Sequence, residues 1–204
     1  MLPTFHIEKT LYQQGYRSIA GVDEVGRGAW AGPIVGAAVI LPKNFSRLGW
    51  EIKESKQLTQ KNREKFFNLI TARSIAYGVS VANNEYIDKN GISKANMRVL
   101  IESARNLSPK PDYVLFDLFK GPFSFDISFQ MFVHGDSCIA SIAAASILAK
   151  VTRDRIMRKE GQIYPQYKFE KHKGYGTTIH QRQLKEHGLC LIHRRSYSPM
   201  KSFL

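Results

Sequence analysis

The chain is poor in cysteine, in acid and in long apolar runs, and each shortage excludes something. Two cysteines occur among 204 residues, Cys138 and Cys190. Their spacing is neither metal-type nor redox-type, and no His–Cys cluster accompanies them, which argues against a zinc centre or a disulfide framework. Cys138, opening an Ala-rich helix, reads as a small buried side chain. The longest apolar or small stretch lies between Cys138 and Lys150, short of the roughly 20 residues needed to span a bilayer. Glu8 and Lys9 interrupt the amino-terminal segment, so no secretion signal is expected. A cytoplasmic protein with no membrane partner is the expectation. Internal repeats, low-complexity tracts and a P-loop are also missing. Gly26, Gly28 and Gly32 have the wrong spacing for a dinucleotide fingerprint, and a strand rather than a helix follows them.

What the chain does have is positive charge. Thirty Lys and Arg face 17 Asp and Glu, a formal net charge of +13. From Lys150 to Leu204 there are 13 Lys or Arg against 4 Asp or Glu. Such a surface attracts phosphate polymers through counterion release, although a merely solubilising surface has the same composition. Hydrophobic content is ordinary at 43%, enough for one sizeable domain with its own core. A core over about residues 17–160 and a helical appendage over about 161–204 are expected.

Period and breakers predict the elements. Ser18–Val25, Pro33–Leu41 and Ser74–Ala82 read as strands, the first two joined by a Gly-rich turn. Leu58–Thr71 reads as a helix with Phe66, Phe67, Leu69 and Ile70 on one face, and Ser93–Asn106 as another with Met97, Leu100, Ile101 and Ala104 in a stripe. Tyr113–Phe119 and Ile127–Val133 complete the strands. Ser137–Arg158 is expected to be one long helix, buried in its first half and a charged rim in its second, with a further helix near Thr178–His187. The pattern argues for an α/β protein with a mixed sheet flanked by helices.

The scarce acids sit in telling places. Asp23 and Glu24 are adjacent at the end of an apolar strand, just before Gly26-Arg27-Gly28. Asp117 ends a second apolar strand and Asp136 follows a third. Buried neighbouring carboxylates are costly without a cation, and crowded oxygen ligands suit hard divalent ions. Because successive strand residues point to opposite faces, Asp23 and Glu24 can share an ion only if the strand bends or one side chain reaches sideways. Plainer readings stand beside these: the glycines form a hairpin turn, and Asp136 or Ser137 caps the next helix. Asp154 is read as a local partner of Lys150 or Arg158 rather than a ligand. In His172-Lys173-Gly174-Tyr175-Gly176-Thr177, a Tyr beside Lys suits stacking on a nucleotide, and Thr177 or Thr178 suits a helix cap.

With these residues in hand, the chain resembles the bacterial ribonuclease HII family. The blocks that carry the likeness are Gly21-Val22-Asp23-Glu24-Val25-Gly26-Arg27-Gly28 with Gly32-Pro33; Ser55-Lys56-Gln57-Leu58-Thr59; Ala143 through Asp154; His172 through Thr177; and His193-Arg194-Arg195-Ser196-Tyr197. The resemblance implies a ribonuclease H-like sheet with a carboxy-terminal helical segment. It implies hydrolysis of RNA in RNA–DNA hybrids and incision on the 5′ side of ribonucleotides embedded in duplex DNA, leaving 3′-hydroxyl and 5′-phosphate ends. The family's four catalytic and metal-binding acids fall on Asp23, Glu24, Asp117 and Asp136, for two Mg²⁺ or Mn²⁺ ions. Its substrate-binding residues fall on Gly26, Arg27, Gly28, Lys56 and Tyr175. A monomer is the expectation for the chain itself. Departures are Glu54 for the usual Asp, Ala29-Trp30 for Pro-Leu, Leu118 for Gly and His134 for Lys. Two rivals remain open: another metal-dependent nuclease or strand-transferase on the same fold, or a non-catalytic basic protein that binds nucleic acid.

Overall fold

Short runs rich in Val, Ile and Ala that are buried on both faces form the middle of the sheet, as expected where helices cover each side. The structure, a computed structural model, describes residues 2–45, 52, 54–119 and 124–203. Its strands are β1 (Ile19–Val25), β2 (Ile34–Ile40), β3 (Ala76–Ala82), β4 (Tyr113–Asp117) and β5 (Ser128–Phe132), in the order β3-β2-β1-β4-β5. β1–β2 and β2–β3 are antiparallel; β1–β4 and β4–β5 are parallel. The carboxyl ends of β1, β4 and β5 therefore lie along one edge, where ligands collect in α/β sheets.

The helices are α1 (His6–Gln13), α2 (Gln60–Arg73), α3 (Asn84–Asn90), α4 (Ile92–Arg105), α5 (Gly135–Cys138), α6 (Ala140–Ile163), α7 (Phe169–His172) and α8 (Thr178–His187). α6 covers one face of the sheet and α4 the other. Both lie unusually close to it. A Cβ on Gly21 would stand 2.2 Å from the backbone of Ser141, and one on Gly36 would stand 2.6 Å from the Val99 carbonyl. The Ala-rich first half of α6 can thus sit almost flush against β1, which fixes what projects from it toward the sheet edge.

Several expectations need correction. The single helix over Ser137–Arg158 is two, α5 and α6, parted at Ile139, whose φ of −119° and ψ of 125° are extended. That break is stitched by the amino-terminal segment: Thr4 donates to the Cys138 carbonyl and accepts from the Ala140 amide, both at 2.9 Å. α1 and α3 were not foreseen. Cys138 is exposed, not buried, because it ends α5 rather than starting the core helix. In α2, Ile70 alone is fully buried, and the buried stripe of α4 runs through Ala95, Asn96, Val99, Leu100, Ser103 and Ala104 rather than through Met97. The basic half of α6 is not a free rim: Arg153 is wholly buried, and Arg155 and Arg158 both pair with Glu64 of α2, the latter at 2.9 Å. After α6 the chain packs Tyr167, Phe169, Leu184 and Met200 around Ala31 and Met157. No helix among the described residues is long and apolar enough to cross a membrane.

Candidate active site

Asp23 and Glu24 lie at the end of β1, Asp117 is the last residue of β4, and Asp136 sits in α5 just beyond β5. All four line one cavity of about 360 Å³, together with Val25, Ser55, Lys56, Ser146, Lys150 and Tyr175. The sheet topology explains the meeting: adjacent parallel strands deliver their carboxyl ends to the same edge. Asp23 and Asp136 are almost fully buried. Among the described residues, no three His, Cys, Asp or Glu side chains are arranged tightly enough to hold a metal ion. Four carboxylates in one cavity repel one another, a cost that a bound cation would offset.

Electrostatics register the crowding. Burial, and then the neighbouring Glu24 charge, push the Asp23 carboxyl well above the usual range, while a hydrogen bond from Ser146 works the other way. Burial raises Glu24 to about 7, with Arg27 opposing and Asp117 adding to the shift. Asp117 is raised by burial and by Asp136, against the Gly135 amide, which donates to it at 2.8 Å. Positive groups answer these charges at the rim. Lys56 Nζ stands 3.3 Å from Asp136 and 3.8 Å from Glu54; burial works against its ammonium charge, but these acids outweigh it. Arg27 Nη1 lies 3.7 Å from Glu24. Every donor facing the cavity from the acids is a hard oxygen, a set that suits Mg²⁺ or Mn²⁺ and not a thiophilic metal.

Each anticipated residue has a definite place. Gly26 has φ +99°, and a Cβ there would meet Arg153 Nε at 2.3 Å, so glycine is required twice over. Gly28, in contrast, has open space around it. Tyr175 is half-buried at the cavity wall. The Thr177 side chain accepts from His180 N and caps α8. Asp136 caps nothing: the residue preceding α5 is His134, in the left-handed region at φ 53°, with no side-chain cap bond. Asp154 is held by Lys150 at 2.7 Å, as a local pair. The departures are accommodated. Leu118 is exposed, is not among the positive-φ residues, and donates its amide to the Phe132 carbonyl. Glu54 still reaches Lys56, and the Trp30 ring packs against Gly176.

Ser146 and Lys150 also line the cavity, and neither is among the site residues expected from the sequence. Ser146 Oγ is 3.0 Å from Ser55 Oγ and bonds Asp23. The signal was available: Ser146, Lys150 and Arg153 follow i, i+4, i+7 spacing, one face of a helix.

A five-stranded mixed sheet with acids at the ends of β1 and β4 and beyond β5 defines a ribonuclease H-like nuclease. A family model described as ribonuclease HII matches residues 20–200. The curated ribonuclease HII of Syntrophus aciditrophicus is 46% identical over 197 residues, covering 97% of this chain and 92% of its own length. Among solved structures, ribonuclease H2 from Pyrococcus horikoshii superposes with a TM-score of 0.78 at 27% identity, covering 92% of this chain and 97% of its own. Bst-RNase HIII in complex with Mn²⁺ shares the fold at TM-score 0.71 and 21% identity, over 93% of this chain and 70% of its own. The chain belongs to the ribonuclease HII family and is an endoribonuclease of the ribonuclease H type, acting on RNA–DNA hybrids.

Proposed function

We propose that the cavity is the site of phosphodiester hydrolysis and that it incises duplex DNA on the 5′ side of an embedded ribonucleotide as well as cutting longer hybrids. The observation that carries this is the convergence of Asp23, Glu24, Asp117 and Asp136, from separate elements, on a cavity that also admits Tyr175. These four acids would hold two divalent ions, Mg²⁺ or Mn²⁺; the Mn²⁺ complex of the related type HIII enzyme supports that class of ion. When bound, the ions lower the pKa of a water nucleophile and offset charge on the leaving 3′-oxygen.

The chain's own residues do the rest. Ser146 favours the ionised form of Asp23, against the burial that raises its carboxyl. Lys56 brings a cation to the rim, within reach of a phosphate. The Gly26–Gly28 backbone meets the ribose 2′-hydroxyl, the group that separates RNA from DNA. Tyr175 stacks on the sugar of the next, deoxy nucleotide, and exposed lysines and arginines track phosphates. A monomer with a cytoplasmic role in removing ribonucleotides from DNA is the corollary.

The test is a substrate panel: an all-DNA duplex, an RNA–DNA hybrid and a DNA duplex with one ribonucleotide, each with Mg²⁺, with Mn²⁺ and with chelator. Cutting of the second and third, with 3′-hydroxyl and 5′-phosphate ends and none under chelation, is expected. An intact lone-ribonucleotide duplex with both ions would overturn the reading. Equal cutting of all-DNA duplex would favour a different nuclease on this fold.

A further inference from the structure

The Gly26–Gly28 loop and the loop bearing Tyr175 are gripped from beneath by two guanidinium groups. We propose that Arg153 and Arg194 are positioning residues that lock both sugar-facing loops into one rigid unit, in register with the acid cavity. The proposal rests on the function argued above and adds residues to it.

Both arginines are fully buried, with 0% exposure, and neither forms an ion pair among the described residues. A buried charge without a counter-ion is expensive, and apolar residues of similar volume often serve a core equally well. Something other than packing must therefore need these groups. Their partners show what it is. Arg153 donates from Nε to the Pro33 carbonyl at 2.8 Å and from Nη2 to Ala31 at 3.2 Å. Arg194 donates from Nε to Gly32 at 2.9 Å and from Nη1 to Arg27 at 3.0 Å. Tyr197, itself held by Arg194, donates a second bond to the Arg27 carbonyl.

Four carbonyls of the 27–33 segment are thus drawn onto two cations. Among the described residues no acceptor receives the amide N–H of Arg27 or Gly28, and Gly28 is exposed. The Arg27 and Gly28 amides are thus left as donors for a ligand, while the Arg27 carbonyl beside them is held by Arg194 and Tyr197.

The same arginine reaches the second loop. The Arg153 guanidinium carbon lies 5.2 Å from the centre of the Tyr175 ring. Ala31, whose carbonyl Arg153 holds, gives its own amide to the Gly174 carbonyl at 3.2 Å, and Trp30 donates to that carbonyl at 2.8 Å. Gly174, at φ +80°, permits the contact: a Cβ there would stand 2.4 Å from the Ala31 oxygen. Each arginine uses a forked pair of donors, from Nε and one Nη, that an ammonium cannot reproduce.

The experiment compares Arg153→Lys, Arg194→Lys and Arg153→Met with the wild type. In substrate-free protein, amide exchange of residues 26–33 and 173–176 should rise together by about tenfold or more in the lysine variants, while residues 19–25 keep their protection. At a lone ribonucleotide, kcat should fall about 10- to 100-fold, with little change in KM for a long hybrid or in the Mg²⁺ concentration giving half activity. Unchanged exchange in both loops, or kcat within about twofold of wild type in the two lysine variants, would overturn the proposal. If Arg153→Met does not fold, Arg153→Lys, which keeps the charge and most of the volume, decides. A wild type that cuts no ribonucleotide-containing duplex would sink the functional reading instead, and the exchange measurement would still judge the arginines.

Discussion

Neighbouring acids on a strand face a geometric difficulty, because successive side chains leave on opposite sides. Asp23 meets Ser146 of α6, whereas Glu24 sits beside Asn96 of α4, on the other face. Both reach the cavity because they stand where β1 ends and the backbone turns at Gly26. The Glu24 amide donates to Asp23 Oδ1 at 2.7 Å, which ties the two together at the bend. Asp23→Asn keeps the shape and removes the charge that a cation needs. It should lower cleavage by about 100-fold or more while leaving duplex binding nearly intact, measured by single-turnover cutting and a mobility shift. Tyr175→Ala should cost about 1–3 kcal/mol at a lone ribonucleotide, the usual value of a stacked aromatic. A rate equal to wild type on that substrate would contradict the stacking role.

Elements were legible in the sequence where period and breakers agreed. The five strands lie within the expected ranges, because short apolar runs bounded by Gly, Pro and Ser admit few other structures. The acid at each strand end could be read for the same reason. What could not be read depended on distant partners. α1 is short and carries Glu8, which in the sequence reads only as an interruption of apolar character. In the fold that carboxylate is buried and accepts from the Ser141 amide at 2.9 Å, so α1 caps the start of α6 from 133 residues away. The break at Ile139 is likewise invisible locally, because Thr4 holds it open. Arg153 looked like surface charge, since nothing local announces that a cation will be buried on backbone carbonyls. Glu8→Ala should therefore lower stability by about 1–3 kcal/mol by leaving the buried Ser141 amide without its acceptor, read from the urea midpoint. A midpoint equal to wild type would refute the capping role.

At the scale of the whole molecule, opposite chemistries occupy neighbouring regions. The carboxy-terminal part holds His172, His180 and His193 buried and close together, with His180 Nε2 3.0 Å from His193 Nε2. A consistent tautomer assignment has His193 donate to His180, which in turn donates from Nδ1 to the Tyr175 carbonyl at 3.0 Å. Burial depresses His180 to about 3 and His193 to about 4, and lowers His172 as well. The folded state keeps these rings neutral, whereas the unfolded chain takes up protons near 6.5. Their contribution is therefore intact above that value and is lost as pH falls toward 4 and 3. Protection factors for α8 and the Tyr175 segment should drop between about pH 7 and 5, and constant protection would count against it. The net charge of +13 leads to a second expectation. Hybrid binding by the Asp23→Asn protein should weaken about tenfold or more between about 50 and 200 mM salt, as counterion release demands.

One stiff helix connects the two proposed tasks. Ser146, which touches Asp23, and Arg153, which underlies both loops, are seven residues apart on α6, about 10 Å along its axis. Cutting and reading would then share one calliper whose jaws cannot drift apart. The incision would fall a constant step from the sugar recognised, whatever bases surround it, and a mis-spaced cut would require that rod to bend.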